Sequence, residues 1–410
     1  MLGRMTEAVI VATARSPIGR AGKGSLASLR PDEMARQMIA TALAKVPELD
    51  PSLVEDIHLG IGQPGGQGGY NIARSVAVQL GYDHIPGVTV NRYCSSSVQT
   101  TRMALHAIKA GEGDVFISGG VESVSSMGVS GGADGLPNSK NPLFDDAQAR
   151  TAKAAEGGAG VWHDPREDGL IPDVYIAMGQ TAENVASYTG ISREDQDRWG
   201  VLSQNRAEKA ITDGFFAREI DPLTLADGTV VSADDGPRAG TTYEKISQLK
   251  PVFRPDGTVT AGNACPLNDG AAALVVMSDT KAKELGLKPL ARIVATAATG
   301  LSPEIMGLGP IEAVRKVLRV AGMSIGDIDL TEINEAFAVQ VLGSAAELGI
   351  DHDKLNVSGG AIALGHPFGM TGARITTTLL NNLTTHDGQF GLETMCVGGG
   401  QGMAMILERL

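Results

Sequence analysis

The chain has few cysteines and no long hydrophobic run. Three cysteines in 410 residues are an odd number and too few for a disulfide framework, so each is expected as a reduced thiol. No apolar run approaches the roughly 18 residues that would cross a bilayer. The N-terminal MLGRMTEAVIVATARSPIG also lacks the features of a secretory signal. We therefore expect a cytoplasmic protein with no membrane partner.

Positive charge is also in short supply. The chain carries 34 basic and 47 acidic residues, for a formal net charge of −13. Since nucleic-acid binding needs a dominant basic surface, a nucleic-acid partner is disfavoured. The CxxC and HExxH spacings of zinc sites are absent too, and we expect no metal.

Glycine, by contrast, is abundant. Its 53 residues are about twice the usual share, so much of the backbone is expected in tight turns or in close approach to other groups. With 42% hydrophobic and 20% charged residues, the chain can bury a large core. Its length indicates about two or three domains.

Short apolar stretches alternate with helical patterns up to about residue 123. The predicted helices are PDEMARQMIATALAKV, NIARSVAVQLG and SSSVQTTRMALHAIKAG, and the predicted strands are AVIVATARSPIG, VEDIHLGIGQ, GVTVNRY and DVFISGGVES. This alternation indicates an α/β fold with parallel strands and helices packed on the sheet.

The same order of elements recurs after about residue 290, which indicates an internal duplication. Turn formers without periodicity, and then long helical patterns, separate the two repeats. We expect an N-terminal half of residues 1–123 plus 268–289, an inserted loop domain of residues 124–267, and a C-terminal half of residues 290–410. Cys94 and the NEAF turn at 334–337 are expected at equivalent strand-to-helix corners facing one cleft.

Cys94 stands between a predicted strand and a predicted helix, in NRYCSSS. A helix N-terminus lowers a thiol pKa and favours the nucleophilic thiolate. The small residues that follow would leave the sulfur accessible. The alternative is a small buried hydrophobe, the commonest fate of a free cysteine.

Three other polar residues stand in similar turns, each with a structural alternative. His366 lies in GGAIALGHPFGMTGAR, where five glycines indicate close backbone packing and His-Pro alone is often structural. Cys396 begins CVGGGQG, which could offer N–H groups to an oxyanion or simply form a bulge or hairpin turn. Asn334, in NEAF, could hold a catalytic water or cap a helix.

Together these motifs, in this order, resemble those of the thiolase family from about residue 5 to the end of the chain. The resemblance implies a five-layered α-β-α-β-α sandwich of two duplicated halves with the inserted loop domain over the cleft. It implies an acyl-CoA acyltransferase that needs no permanent cofactor, with CoA and acyl-CoA as substrates. It also implies a homodimer, often paired again into a homotetramer.

The resemblance also assigns roles. Cys94 takes the acyl group, His366 is its base, and Cys396 moves a proton at the α-carbon. One oxyanion hole comprises His366 and a water held by Asn334; the other comprises the N–H groups of Cys94 and Gly398. Further stretches such as GQTAENVA, LKPVF, GTVTAGNACPLNDGAAA and MGLGP resemble family signatures of the pantetheine tunnel. The implied substrate and CoA contacts are Met178, Arg238, Lys245, Phe253, Ala261, Cys265, Met306, Ala336 and Phe337.

The direction of the reaction is a separate question. Biosynthetic thiolases often have a histidine before the MG of the tunnel helix and a serine after AGNA, where this chain has Ala177 and Cys265. GVESVSS and GHPFGMTGAR resemble the degradative 3-ketoacyl-CoA thiolases, so thiolysis is favoured over condensation of acetyl-CoA. A ketoacyl synthase would use two histidines instead of Asn334 and Cys396. A non-catalytic acyl-CoA binding protein would have lost part of the four-residue set.

Overall fold

The computed structural model describes residues 6–127 and 139–410, which hold twelve strands and twelve α-helices. The strands are β1 (Ala8–Arg15), β2 (Gly19–Arg20), β3 (Asp56–Gly60), β4 (Gly87–Val90), β5 (Val115–Ser123), β6 (Leu223–Thr224), β7 (Val230–Val231), β8 (Asn268–Ser278), β9 (Ala291–Gly300), β10 (Leu330–Ile333), β11 (Phe390–Val397) and β12 (Gln401–Arg409). The helices are α1 (Pro31–Ala44), α2 (Ile72–Gln79), α3 (Ser96–Ala110), α4 (Asp145–Ala155), α5 (Met178–Thr189), α6 (Arg193–Thr212), α7 (Tyr243–Ile246), α8 (Asp279–Glu284), α9 (Gly309–Ala321), α10 (Ala338–Leu348), α11 (Ala361–Leu364) and α12 (Thr371–Thr385).

The large sheet consists of two similar halves. Its strand order is β10-β11-β12-β9-β1-β8-β5-β3-β4, with β2 beside β8. The two halves of the sheet join where Val9 and Ile10 of β1 pair with Arg292 and Ala291 of β9. The order β1-β8-β5-β3 on one side corresponds to β9-β12-β11-β10 on the other. An isolated parallel bridge between Thr331 and Leu355 lies where a partner of β4 would stand. The predicted duplication is confirmed.

The sheet is mixed, and the prediction of parallel strands is correct only in part. β3 runs parallel to β4 and β5, and β10 runs parallel to β11. Strands β8, β1, β9 and β12 pair antiparallel with their neighbours. Strands β11 and β12 are antiparallel because only three glycines join them. Such a short connection forms a hairpin, whereas a parallel pair needs a long crossover.

Helices cover both half-sheets and fill the space between them. α3 and α12 pack against each other between the two half-sheets. α1 and α2 cover the outer face of the N-terminal half, and α9 and α10 lie on the outside of the C-terminal half. The central hydrophobic cluster includes Val98 of α3 and Leu379 of α12. This arrangement gives the expected five layers, and it explains why β8 is buried along its whole length.

The duplication also corrects one expectation. Cys94 precedes α3 and follows β4, whose counterpart is the bridge at Leu355. The equivalent corner in the C-terminal half therefore lies before α12, where His366 stands. The NEAF turn follows β10, whose counterpart is β3, so it is equivalent to the segment after Gly60. The prediction that NEAF matches the Cys94 corner was wrong because a single bridge residue leaves no strand pattern in the sequence.

The interval between β5 and β8 contains α4 to α7 and the short hairpin β6-β7. The predicted limits of the loop domain, 124–267, fall at the ends of these two long strands. Part of the predicted stretch of turn formers, residues 128–138, lies outside the described residues. Across the described ranges, no helix combines the length and apolar character that a bilayer span requires.

Candidate active site

Cys94 lies in a strained turn at the entrance to α3. The turn is a 3-10 segment, Tyr93–Ser95, and Tyr93 has a positive φ of 43°, a conformation that costs energy for a residue with a side chain. The Ser96 hydroxyl stabilises the turn, since it accepts from the Arg92 N–H at 2.9 Å and donates to the Tyr93 carbonyl at 2.7 Å. The turn thus fixes the position of a largely buried sulfur.

Burial raises the pKa of the Cys94 thiol to about 11. The backbone N–H groups of Gly398 and of Cys94 itself oppose this rise in the pKa, while Glu122 adds to it. The sequence-based expectation of a lowered pKa was therefore wrong, because loss of solvation outweighs the donors at the helix entrance. The resting sulfur is a thiol and needs a base to become a nucleophile.

His366 is held by three contacts. Its backbone N–H donates to the Asn268 side chain at 2.9 Å, its Nδ1 lies 2.6 Å from the Thr371 hydroxyl, and its Nε2 lies 3.3 Å from Asn334 Nδ2. Burial, with a smaller contribution from Arg374, lowers the pKa of His366 to about 3. The imidazole is therefore neutral at physiological pH.

The hydrogen-bond partners of His366 are compatible with a proton on its Nδ1. When the Thr371 hydroxyl donates to the Pro367 carbonyl at 2.8 Å, its oxygen accepts from His366, and Nδ1 carries the proton. Nε2 then keeps its lone pair and accepts from the Asn334 amide. A neutral imidazole with a basic Nε2 is the form that a general base requires.

Asn334 is buried beyond the end of β10. Its backbone N–H donates to the Thr394 carbonyl at 3.0 Å. Its side-chain oxygen has no hydrogen-bond partner among the described residues. The helix-cap alternative is excluded, because α10 begins at Ala338 and Phe337 holds the cap position.

Cys396 lies at the end of β11, directly opposite Gly402 in the hairpin with β12. CVGGGQG does form the hairpin turn that was the structural alternative for this motif, and Gly399 and Gly400 have φ of 74° and 80° there. The side chain of Cys396 is completely buried, and its sulfur lies 3.3 Å from the Gln340 side-chain amide. Burial first, and then the neighbouring thiols of Cys94 and Cys265, raise the pKa of Cys396 well above its usual value. The Cys94 and Cys265 thiols are therefore near enough to disfavour a charge on Cys396.

The structure brings most of the predicted tunnel residues together around Cys396. They form one hydrophobic cluster with it, whose members include Met178, Phe253, Met306, Ala336 and Phe337. The rings of Phe253 and Phe337 meet edge to face with centroids 6.2 Å apart. The Cys265 N–H donates to the Ala336 carbonyl at 3.0 Å, which joins the AGNAC segment to NEAF.

Two cavities accompany these residues. One, of about 350 Å³, is lined by Cys94, Gly398, Met178 and Phe368, and the Phe368 ring contacts the His366 ring at a centroid distance of 5.1 Å. The other, of about 300 Å³, is lined by the predicted Arg238, Lys245 and Ala261. The predicted site residues thus fall into a reactive group and a separate cationic group.

Sequence reasoning missed three residues of the site. Thr371 orients His366, and Gln340 contacts Cys396. The buried Glu122 carboxylate accepts backbone N–H groups of Gly62, Gln63 and Gly369 at 2.7, 3.1 and 2.8 Å, and burial raises its pKa to about 7. All three residues lie inside or near motifs named in the sequence analysis, but their contacts with the site are visible only in the folded structure.

Within residues 6–127 and 139–410 there is no group of three or more histidine, cysteine and acidic side chains that could hold a metal ion.

Comparison with known proteins identifies the family. The model for "Thiolase, N-terminal domain" matches residues 8–280, and that for "Thiolase, C-terminal domain" matches residues 287–409. A 3-ketoacyl-CoA thiolase of Bacillus subtilis is 40% identical over 98% of this chain and 100% of its own length. The structure of the acetyl-CoA acetyltransferase of Bacillus anthracis is similar with a TM-score of 0.85 and 40% identity, covering 99% of both chains. That of the dimeric peroxisomal thiolase of Saccharomyces cerevisiae has a TM-score of 0.87 and 35% identity, covering 99% of this chain and 98% of the other. The chain belongs to the thiolase family.

Proposed function

We propose that the protein cleaves 3-ketoacyl-CoA by CoA-dependent thiolysis, giving acetyl-CoA and a shortened acyl-CoA through an acyl-Cys94 intermediate. The observation that carries this proposal is a cavity lined by the protonated Cys94 thiol and by Phe368, whose ring contacts the neutral His366 imidazole. The 3-ketoacyl-CoA thiolase of Bacillus subtilis supports the degradative direction, as does Ala177 in place of the histidine frequent in biosynthetic members.

In the first half of the reaction, His366 Nε2 takes the proton from Cys94, and the thiolate attacks the 3-keto carbon. The bond between C2 and C3 then breaks. The acyl group stays on Cys94, and the departing carbanion of acetyl-CoA takes a proton from the Cys396 thiol. At the end of this half-reaction His366 is protonated and Cys396 is a thiolate, so the two proton transfers balance.

In the second half, the Cys396 thiolate takes the proton of an incoming CoA thiol. The CoA sulfur attacks the acyl-Cys94 thioester, the Cys94 sulfur leaves, and the His366 imidazolium returns its proton. Both cysteines and the histidine then regain their starting protonation states. This alternation is a ping-pong sequence with CoA as a substrate and no permanent cofactor.

Two sets of donors can stabilise the oxyanions of these steps. The N–H groups of Gly398 and Cys94, which favour a charge on the Cys94 sulfur, would also donate to an oxygen attached to the attacked carbon. His366 after protonation, with a water held by Asn334, forms the second set. The buried Asn334 side-chain oxygen, which has no partner among the described residues, supports this role.

CoA binding is proposed at the loop domain of residues 124–267, which would cover the site between the halves 1–123 plus 268–289 and 290–410. The acidic chain must supply local cations for the CoA phosphates, and Arg238 and Lys245 line one cavity with Ala261. The cluster that contains Met178, Phe253, Met306, Ala336 and Phe337 would form the apolar wall of the tunnel, and Cys265 would lie beside it.

We propose a cytoplasmic homodimer, with a homotetramer as the larger form, acting in fatty-acid or related β-oxidation. The yeast structure is of a dimeric thiolase. In this chain β4 is the last strand of the sheet and is only half-buried.

The second candidate function is condensation of acetyl-CoA to acetoacetyl-CoA, which the similarity to the Bacillus anthracis acetyl-CoA acetyltransferase supports. Measuring kcat/KM for thiolysis of acetoacetyl-CoA and of longer 3-ketoacyl-CoAs separates the two. Efficiency that rises with chain length supports degradation, whereas a strong preference for acetoacetyl-CoA supports the acetyltransferase. A Cys94→Ser variant with normal turnover of every substrate would refute both.

A further inference from the structure

Gln340 is a buried amide beside the second cysteine. It lies in the first turn of α10 and is completely buried. A Cβ at Gly307 would lie 2.8 Å from the Gln340 Cβ, so the backbone of the neighbouring segment packs closely on this side chain. The amide is thereby held at a fixed position, with one of its two polar atoms 3.3 Å from the Cys396 sulfur.

The hydrogen-bond partners decide which atom of the amide faces Cys396. The atom near the sulfur is also 2.8 Å from the Asn334 backbone carbonyl, and the other amide atom is 2.8 Å from the Val341 N–H. If the amide oxygen faced the Asn334 carbonyl, two acceptors would meet. If the amide nitrogen faced the Val341 N–H, two donors would meet. With the nitrogen toward Asn334 and the oxygen toward Val341, both are satisfied, and the nitrogen faces the sulfur.

An amide nitrogen carries two hydrogens, which suits the two groups that it faces. One hydrogen binds the Asn334 carbonyl, and the other points toward the Cys396 sulfur. The other titratable groups that act on this sulfur are the thiols of Cys94 and Cys265, and both disfavour a charge on it. The rest of its surroundings is the apolar cluster already described. A directed N–H is therefore valuable to an anionic sulfur there.

We propose that Gln340 is the positioning residue of the Cys396 acid and base: its amide N–H binds the sulfur and favours the thiolate, and its second N–H ties the same site to Asn334. This inference rests on the proposed function, because it assumes that Cys396 transfers the proton at the α-carbon. The two catalytic motifs, NEAF and CVGGGQG, are thus connected by one side chain.

The test separates the two half-reactions in the full-length enzyme. Exchange of label between acetyl-CoA and free CoA requires acylation of Cys94 with His366 as its base. The CoA thiol also exchanges a proton with Cys396, but a thiol ionises far more readily than a methyl group beside a thioester, so this exchange depends much less on Cys396. Uptake of deuterium into the methyl group of acetyl-CoA in heavy water requires Cys396 as well. Both are measured against pH for wild type, Gln340→Met, which removes the donor, and Gln340→Glu, which places a carboxylate against the sulfur.

We expect deuterium uptake to fall about tenfold or more in Gln340→Met and further in Gln340→Glu, with CoA exchange within about twofold of wild type. Since loss of the donor disfavours the thiolate, the rise of deuterium uptake with pH should move to higher pH in both variants. Gln196→Met, which removes another fully buried helical amide that contacts Thr258, serves as the control for structural damage. It should change neither exchange.

Equal losses in both exchanges would overturn the inference, since that pattern is the signature of a merely structural role. Unchanged deuterium uptake in both variants would overturn it as well. If Gln340→Met does not fold, the two exchanges are compared in Gln340→Glu and Gln340→Asn. The asparagine side chain is shorter by one methylene, so its amide lies farther from the Cys396 sulfur. A wild-type enzyme that shows neither exchange would instead refute the proposed function, and with it this inference.

Discussion

His366 Nδ1 lies 2.6 Å from the hydroxyl oxygen of Thr371, one turn further along the chain, and that hydroxyl donates to the Pro367 carbonyl. These two hydrogen bonds connect the His366 loop to the start of α12. With the proton on Nδ1, the lone pair of Nε2 faces the Asn334 amide nitrogen at 3.3 Å. A proton held on Nδ1 by Thr371 would leave Nε2 for the proposed role of His366 as the base.

Replacing Thr371 should lower turnover without harming the fold. In Thr371→Val the Nδ1 proton loses its acceptor, and the tautomer with the proton on Nε2 becomes competitive, so we expect kcat to fall about tenfold or more. Thr371→Ser keeps the hydroxyl and should restore most of the activity. Thr377→Val is the matched control, because the Thr377 hydroxyl donates only to the carbonyl of Ala373, four residues earlier in the same helix. Equal losses in the two valine variants would contradict this role.

Arg15 should anchor the inserted region to the sheet. Its guanidinium lies on β1 and is completely buried, at 2.8 Å from Glu219 and 2.6 Å from Asp234, both of which belong to the interval 124–267. Arg15→Met would leave two carboxylates buried without their cation, so we expect a loss of about 3 kcal/mol or more in the free energy of unfolding.

Denaturant titration measures this loss, with Arg315→Met as the control. Arg315 also contacts two carboxylates, Glu312 and Glu347, but it is exposed, and its removal should cost less than about 1 kcal/mol. Similar costs for the two variants would show that the Arg15 network contributes no more than a surface ion pair.

Glu122 should make stability depend on pH near neutrality. Burial raises its pKa in the folded protein to about 7, above its usual 4.5. A carboxyl with a raised folded pKa stabilises the fold fully below its unfolded pKa, and this contribution is lost as pH rises through about 7. The advantage of wild type over Glu122→Gln should therefore shrink between about pH 4.5 and 8, by up to about 3 kcal/mol.

Thermal melting of both proteins across this range tests the sign. Other buried carboxyls, such as Glu332 and Glu393, have pKa values raised to about 8, but they are present in both proteins and cancel in the difference. A wild-type advantage that grows with pH would show that Glu122 is ionised in the fold, held by its three backbone donors.

The sequence predicted the fold well where one element produces its own pattern. The strand predicted as ARIVATAATG coincides with β9, Ala291–Gly300. The antiparallel strands and the single bridge at Leu355 escaped prediction, because strand direction and an isolated pair depend on how distant segments meet. Motifs marked Cys94, Asn334, His366 and Cys396, whose roles remain proposals, but no motif could reveal the orientation of a ring or an amide.

The pKa of Cys94 shows the same limit. The position before α3 predicts a lowered value from local geometry alone, whereas the folded protein removes the sulfur from water and raises the pKa to about 11. Desolvation is a property of the whole cleft, which the two halves close together. A thiolate fraction below about one in a thousand at pH 7 follows from such a pKa, so the proposed reaction needs a base, the role proposed for His366.

Alkylation by iodoacetamide decides between a resting thiol and a resting thiolate. Because only the thiolate reacts, the rate at Cys94 should rise about tenfold per pH unit from pH 7 to pH 10 without a plateau. The same slope is expected in His366→Ala, since an imidazole with a pKa near 3 forms no ion pair with the sulfur at these pH values. Mass spectrometry of the labelled peptide confirms that Cys94 and not Cys265 has reacted. A plateau near neutral pH in wild type that disappears in His366→Ala would show a thiolate-imidazolium pair, and the proton would then leave Cys94 before the substrate binds.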